Sequence, residues 1–419
     1  MRQSYHMTEG RKRSFWIEEI KDNLSKYSRQ IDKPLLVLML LIIVFGLVMV
    51  YSTTLFSENG TTARSFPVGH LFKQGVAVVI GSILASILLF LPIDFFGNYT
   101  ILLSAHGLLT LILLGTVGWG TISKGAKSWL SIGAFNFQVS EFTKISIMLL
   151  MSYIIYHTCR EYRASQEILR DKRVWQPTLS IVIAMVLIGL QPDLGMLIII
   201  TGTMFTMLIV NRFGTKFNIA LYVVIIGVYG FLQVLAWKLG DLFSRTGMYQ
   251  LKRLGSFVDP FEYAEDAGYQ LTRAYIAFSR GGWFGVGIGQ GLTNRAQLPE
   301  RHTDFILAIV VEETGFVGAC VLLGLLFALI IRLFLWAYKS KNFYHRCVLS
   351  GAGILYLVQM LVNVGGALGL LPLTGVTLPF VSYGGSSMIM CLLLMGVAQR
   401  IIIAEKNQME IEKEAVYGI

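Results

Sequence analysis

Long apolar blocks alternate with short polar stretches along the chain, near 34–54, 72–92, 101–118, 137–157, 178–191, 194–210, 217–237, 305–334, 347–368 and 380–403. Most are about 17 to 25 residues long, the length a helix needs to cross a bilayer core of ~30 Å. The pattern predicts an all-α fold, a polytopic membrane protein with about ten transmembrane helices. The fifth and sixth blocks are separated only by Gln191-Pro192-Asp193. A single bent element would fit there, but the proline and the carboxylate favour a hairpin. The first block has no small-residue cleavage site after it and reads as a retained transmembrane helix.

Composition agrees, since 54% of the 419 residues are hydrophobic and 14% charged, with mean hydropathy +0.63. Soluble proteins carry roughly 25% charged residues, so a large soluble enzyme is excluded. The net charge of +10 reports orientation and not nucleic acid, because Lys and Arg collect on the cytoplasmic side of membrane proteins. With the N-terminus inside, the inner segments 1–33, 93–100, 158–177, 211–216, 331–346 and 400–419 hold 22 of the 35 basic residues, and the short outer loops hold 3. This predicts cytoplasmic tails at 1–33 and 404–419 flanking a transmembrane domain at 34–403. It also makes 238–304 one long extracellular loop, too long for a mere connector. Within it, Tyr269 to Ile288 has apolar residues at helical spacing, interrupted by Arg273, Arg280 and Gly281-Gly282. An interfacial or re-entrant amphipathic helix fits that spacing; a plain surface loop is the alternative.

Candidate chemistry is sparse. Cys159, Cys320, Cys347 and Cys391 have neither disulfide-framework nor zinc spacing. Walker, dinucleotide and nucleophile-elbow motifs are missing, which disfavours an ATP-driven pump. His106 and His157 sit in apolar blocks and read as hydrogen-bonded packing residues. Ionisable groups inside spans are functional candidates by default, since each costs at least ~2.5 kcal/mol on insertion scales. The fourth span opens with Gln138, Ser140, Glu141 and Lys144, three of which share a helical face at 138, 141 and 144. A self-neutralising i,i+3 pair is the plainer reading of Glu141 and Lys144. Asp304 opens the eighth span, as a reactive carboxylate or merely as a helix cap beside Thr303. The helical step turns Glu312 about 80° and Glu313 about 180° from it, so the two glutamates cannot both join one pocket with Asp304. Between the ninth and tenth spans, two prolines, glycines and hydroxyls over 371–387 suggest non-helical backbone dipping into the bundle. Close helix packing through small residues is the alternative.

Five segments carry a family resemblance: GAKSWLSIGAFNFQVSEFTK (125–144), QPDLG (191–195), GYQLTRAYIAFSRGGWFGVGIGQGL (268–292), LPERHTDFILAIVVEETGFVG (298–318) and LPLTGVTLPFVSYGGSS (371–387). In this order they closely resemble the SEDS family, whose members include FtsW, RodA and SpoVE. The GVGIGQGL stretch (285–292) is more similar to FtsW; Arg301-His302 after Pro299-Glu300 occurs also among RodA-like members. Val139 stands where many members have proline, and Ser128 where many have arginine, with Lys127 adjacent.

The resemblance implies a peptidoglycan glycosyltransferase that polymerises lipid II, drawing on an undecaprenyl-pyrophosphate-linked glycan. Its action lies on the outer face of the bacterial cytoplasmic membrane. Implied partners are a class B penicillin-binding protein and other divisome or elongasome membrane proteins. The family's catalytic aspartate maps onto Asp304. Lys73, Lys127, Glu141, Lys144, Glu300, Arg301 and His302 are the candidate substrate-binding or supporting groups. A divalent metal ion is compatible with the chemistry, and no ligand set for it is legible. A flippase of the same lipid-linked precursor and a structural recruiter are the rival classes. Candidate polar groups near the outer helix ends, rather than at the midplane, favour surface chemistry.

Overall fold

The computed structural model describes residues 30–55, 68–123, 126–132, 135–161, 171–212, 260–261, 264, 268–292 and 298–417. Its helices are α1 (Lys33–Thr54), α2 (Val68–Phe90), α3 (Tyr99–Trp119), α4 (Val139–Glu161), α5 (Lys172–Leu190), α6 (Leu194–Arg212), α7 (Tyr269–Gly281), α8 (Ile306–Lys339), α9 (Phe343–Ala367) and α10 (Gly385–Tyr417). Among the described residues, nine of them, all but α7, are long and apolar enough to cross a membrane. The span expected at 217–237, and most of the loop expected at 238–304, lie outside the described residues.

Short polar side chains start the helices. Asp32, Asn98, Asp171 and Asn342 each accept a hydrogen bond from a first-turn N–H of α1, α3, α5 and α9, satisfying donors that the helix itself cannot. Gln191 to Asp193 separate α5 from α6 as a hairpin corner. Helices α4, α9 and α10 are buried over most of their length, and α2 and α3 mainly on one face. The chain thus wraps a three-helix centre in a shell whose outward side remains apolar, as a bilayer requires.

Three features depart from the sequence reading. First, a small antiparallel sheet, β1 (Thr121–Ser123), β2 (Ala126–Ile132) and β3 (Phe135–Gln138), precedes α4. Trp129 pairs with Gln138 and Leu130 with Phe137. Gln138 therefore ends a strand and is not on the helical face of Glu141 and Lys144. Second, α10 continues through the expected tail to Tyr417. Third, α8 is two helices in one. Gly315 has φ 73° and ψ −177°, which interrupts the helix inside its 34 residues.

The break in α8 is repaired by the segment that follows α7. Val286 and Gly287 donate their N–H groups to the freed carbonyls of Glu312 and Glu313, at 2.9 and 3.0 Å. Phe316 and Val317 donate to the carbonyls of Gly282 and Trp283, at 2.9 and 3.1 Å. Broken backbone survives inside a membrane protein only when other protein groups satisfy it. Only glycine fits at 315. A Cβ there would stand 2.3 Å from the Trp283 carbonyl oxygen, and the left-handed φ penalises any other residue.

Candidate active site

The end of the bundle that carries the sheet also collects the starts of α4, α6, α8 and α10 and the end of α9. On α4, Glu141 stands in the first turn and Lys144 one turn on, and their side chains pair at 2.9 Å with almost no exposure. Lys144 also donates to Gln359 Oε1 of α9 at 3.0 Å. A buried ammonium is tolerable only with an anion and hydrogen-bond acceptors around it, and both are supplied. Gln359 passes the network on, donating from Nε2 to the Thr377 carbonyl at 3.0 Å. The Thr377 hydroxyl in turn pairs with Ser387 Oγ at 2.7 Å.

Thr377 belongs to residues 368–384, non-helical backbone between α9 and α10. The dipping reading of this connection is the correct one. Val376, Leu378, Phe380 and Val381 are buried, and side chains satisfy the irregular backbone around them. Gln74 bridges the Ser382 carbonyl and the Gly384 N–H, each at 3.1 Å. Ser382 Oγ accepts from Leu378 N and donates to the Thr303 carbonyl. Asn363, one turn past Gln359 on α9, donates to the Val376 carbonyl at 2.7 Å and to the Asp304 carbonyl at 3.0 Å.

Asp304 is thereby fixed through its main chain. The N-cap of α8 is Phe305, with no side-chain capping bond, so Asp304 does not hold the N-cap position, and the capping alternative is corrected. Its half-buried carboxyl faces Gly375: a Cβ built on that glycine would lie 3.7 Å from Oδ2. A continuous route of hydrogen bonds and loop backbone runs from Lys144 through Gln359, Thr377, Val376 and Asn363 to the Asp304 peptide.

The other expected residues divide. Glu300 accepts from Thr303 Oγ1 at 2.8 Å, steadying the turn before α8. Arg301 donates to the Thr53 carbonyl at the end of α1, at 3.3 Å. His302 packs against His70 and Tyr383, with ring centroids 4.8 and 5.4 Å apart. Burial raises the Tyr383 pKa. Lys73 is exposed on α2, and it is its neighbour Gln74 that is buried in the network. Lys127 lies on β2, and its side chain is outside the described part. Glu312 and Glu313 are buried apart from this network, Glu312 paired with Arg280 Nε at 3.1 Å and Glu313 accepting from Ser52 Oγ at 2.7 and 2.6 Å. Both histidines read as packing residues are hydrogen-bonded, His106 to Ser146 and His157 to Asp171. Among the described residues no three His, Cys, Asp or Glu side chains converge as metal ligands.

Sequence reasoning missed Gln74, Gln359, Asn363 and Asp193. Two amides at i,i+4 in an apolar span were the available signal for Gln359 and Asn363. In the sequence Asp193 marks the hairpin and stands in the QPDLG segment. Its Oδ1 accepts from Met196 N at 3.1 Å, starting α6, and its Oδ2 accepts from Gln138 Nε2 at 2.7 Å. Burial raises its pKa; the two hydrogen bonds oppose this, Glu141 reinforces it and Lys144 opposes it.

Residues 33–407 match the family described as "Cell cycle protein", that of FtsW, RodA and SpoVE. The chain belongs to this family. Among similar members, a probable peptidoglycan glycosyltransferase FtsW of Dichelobacter nodosus (strain VCS1703A) is 33% identical, over 88% of this chain and 89% of that protein. The Bacillus subtilis (strain 168) protein of the same name is 32% identical, over 90% and 92%. Among solved structures, a chain from a peptidoglycan synthase complex studied for coordination of polymerization and crosslinking has a TM-score of 0.66. It shares 27% identity, over 90% of this chain and 98% of that one. The rod shape determining protein RodA of Thermus thermophilus has a TM-score of 0.60 at 27% identity, over 90% and 97%. The family fold therefore extends over nearly all of the membrane part, and the Lys144-to-Asp304 network lies wholly inside the matched region.

Proposed function

We propose that this chain polymerises lipid II into glycan strands on the outer face of the bacterial cytoplasmic membrane, with Asp304 as general base. Its class is peptidoglycan glycosyl transfer in cell division or cell shape, the activity named in its FtsW relatives. Both termini are cytoplasmic in this reading, 34–403 is the membrane domain between the tails 1–33 and 404–419, and the sheet end faces outward. A class B penicillin-binding protein is the partner, consistent with the likeness to a synthase complex.

The reaction joins C1 of the growing strand's terminal MurNAc to the 4-hydroxyl oxygen of the GlcNAc on an incoming lipid II. The bond from C1 to the pyrophosphate oxygen breaks, undecaprenyl pyrophosphate leaves with the bonding pair, and the hydroxyl proton passes to Asp304. A sugar hydroxyl is a weak nucleophile at neutral pH, so a carboxylate within hydrogen-bond reach is the central requirement. One observation carries the assignment: Asp304 is pinned by its peptide at the mouth of α8 while its side chain is not used as the helix N-cap. A carboxyl so placed is pre-positioned, with the backbone of Gly375 facing it. Lys144, held with Glu141 on the same network, supplies positive potential where the leaving group gathers negative charge. Lys73, Arg301 and His302 are assigned to the phosphates, Lys127 by its place in the sequence alone, and Glu300 holds the turn that carries Arg301 and His302.

The test is lipid II polymerisation by the purified protein with a cognate penicillin-binding protein whose transpeptidase is inactive. Wild type should give glycan ladders. Asp304→Asn should slow polymerisation by about 10²- to 10⁴-fold, the usual contribution of a general base, with expression and partner binding retained. Polymerisation within threefold of wild type would remove Asp304 as the base. Flipping of the precursor with no polymerisation by wild type would instead identify a transporter.

A further inference from the structure

Asp193 joins the starts of two helices. One carboxylate oxygen holds the first turn of α6 through Met196 N, and the other holds Gln138, the last residue before α4. Gln138 is itself anchored, its N–H donating to Ser386 Oγ of α10 at 3.0 Å. Two residues beyond Asp193, a Cβ on Gly195 would stand 2.4 Å from the Thr374 carbonyl oxygen and 2.9 Å from Val376 Cγ2. The α6 start therefore presses on the loop whose next member, Gly375, faces the Asp304 carboxyl.

The charges nearby are few. From α4, Glu141 and Lys144 act electrostatically on Asp193. Among the described residues, Gln191 precedes Asp193 at the end of α5, Ser386 of α10 accepts from Gln138 and Thr374 of the loop abuts Gly195, and none of these is charged. Asp304 stands beyond Gly375. Glu141 holds the ammonium directly at 2.9 Å, and Asp193 acts on it through space.

We propose that Asp193 is a positioning residue for glycosyl transfer, its negative charge setting the field and the placement of the Glu141–Lys144 pair through Gln138. The inference rests on the assignment of Lys144 and Asp304 to the site. Geometry alone does not require a charge here. Asparagine caps a helix as well as aspartate, and a turned Gln138 amide could accept from it. Asp193→Asn therefore removes the charge and spares the architecture.

The test measures lipid II polymerisation from about pH 5.5 to 9 for wild type, Asp193→Asn and Asp193→Glu, in the complex with the penicillin-binding protein. In Asp193→Asn, kcat should fall about tenfold, comparable to exchanging a charge-assisted hydrogen bond for a neutral one, with KM for lipid II within threefold. A nearby anion raises the pKa of any group that titrates in its field, so removing it should move both limbs of the pH profile to lower pH, by about half a unit or more. Asp193→Glu should keep the wild-type limbs. Wild-type behaviour of Asp193→Asn, or lost activity with unmoved limbs, would overturn the proposal, as would displaced limbs in Asp193→Glu. Lys144→Gln and Asp304→Asn are run alongside: normal polymerisation by both would refute the site assignment, whereas their loss beside a normal Asp193→Asn would refute Asp193 alone.

Discussion

The side-chain amide of Asn363 lies 3.0 Å from the peptide oxygen of Asp304. The same nitrogen holds the Val376 carbonyl, so one α9 side chain sets both the carboxyl-bearing turn and the loop facing it. Asn363→Leu should cost about 2 kcal/mol of stability, because two carbonyls lose a buried donor. It should also slow polymerisation by at least tenfold with little change in KM. Thermal unfolding in detergent and steady-state polymerisation check both, and unchanged rates would mean that Asp304 is positioned by other contacts.

The Glu141–Lys144 pair gives a second expectation. Lys144→Met leaves a buried carboxylate without its cation, and losses of this kind cost about 3–5 kcal/mol. Glu141→Gln with Lys144→Met removes both charges and should recover most of that stability without recovering activity. Equal stability of the single and double variants would show that the pair is not coupled.

Gly315 allows a third. Gly315→Ala meets the backbone of 283–285 and forces a left-handed φ, so the splice should open at a cost of about 3 kcal/mol or more. Hydrogen exchange of the Val286, Gly287, Phe316 and Val317 amides should quicken together. Exchange confined to Gly315 would argue against a cooperative splice.

Orientation can be read chemically. With Cys159 and Cys320 replaced by serine, a cysteine at Ser131 on the sheet should react with an impermeant maleimide in intact spheroplasts. One at Lys341, exposed between α8 and α9, should react only after permeabilisation. The opposite pattern would invert the topology.

At the far end of the bundle Asp32 offers a pH test. Burial raises its pKa, but hydrogen bonds from Arg332, Leu35 N–H and Trp336 outweigh this, and the carboxyl ionises below its usual range. A group depressed on folding stabilises above its unfolded pKa and loses that contribution as pH falls through the folded value. Wild type should therefore lose stability on acidification below about pH 4. Asp32→Asn, less stable at neutral pH, should lose less over the same range, as thermal melts would show.

The spans were legible because twenty apolar residues in a row admit few interpretations; nine of the expected spans recur, most within a few residues of the expected bounds, while α10 runs on through the expected tail. Asp304, Glu141 and Lys144 were legible because charge in an apolar block is conspicuous. The β-sheet was not: Phe135-Asn136-Phe137-Gln138 alternates over only four residues and abuts a helix of strong pattern. The break at Gly315 was hidden because one glycine in an apolar run is ordinary, and its consequence depends on partners some thirty residues earlier. Asp193 escaped notice because its role depends on Gln138, and that contact is tertiary.

The spliced helix also constrains how the protein enters its membrane. The first part of α8, 306–314, carries two glutamates and leads into Gly315, which frees carbonyls and amides. Such a segment cannot rest alone in hydrocarbon, where each unsatisfied backbone group costs several kcal/mol. Its complement, 282–287, precedes it in the chain, so translation delivers the patch before the break that needs it. Insertion of α8 is then a two-segment event, with α7 and its trailing loop acting as an internal chaperone during biogenesis.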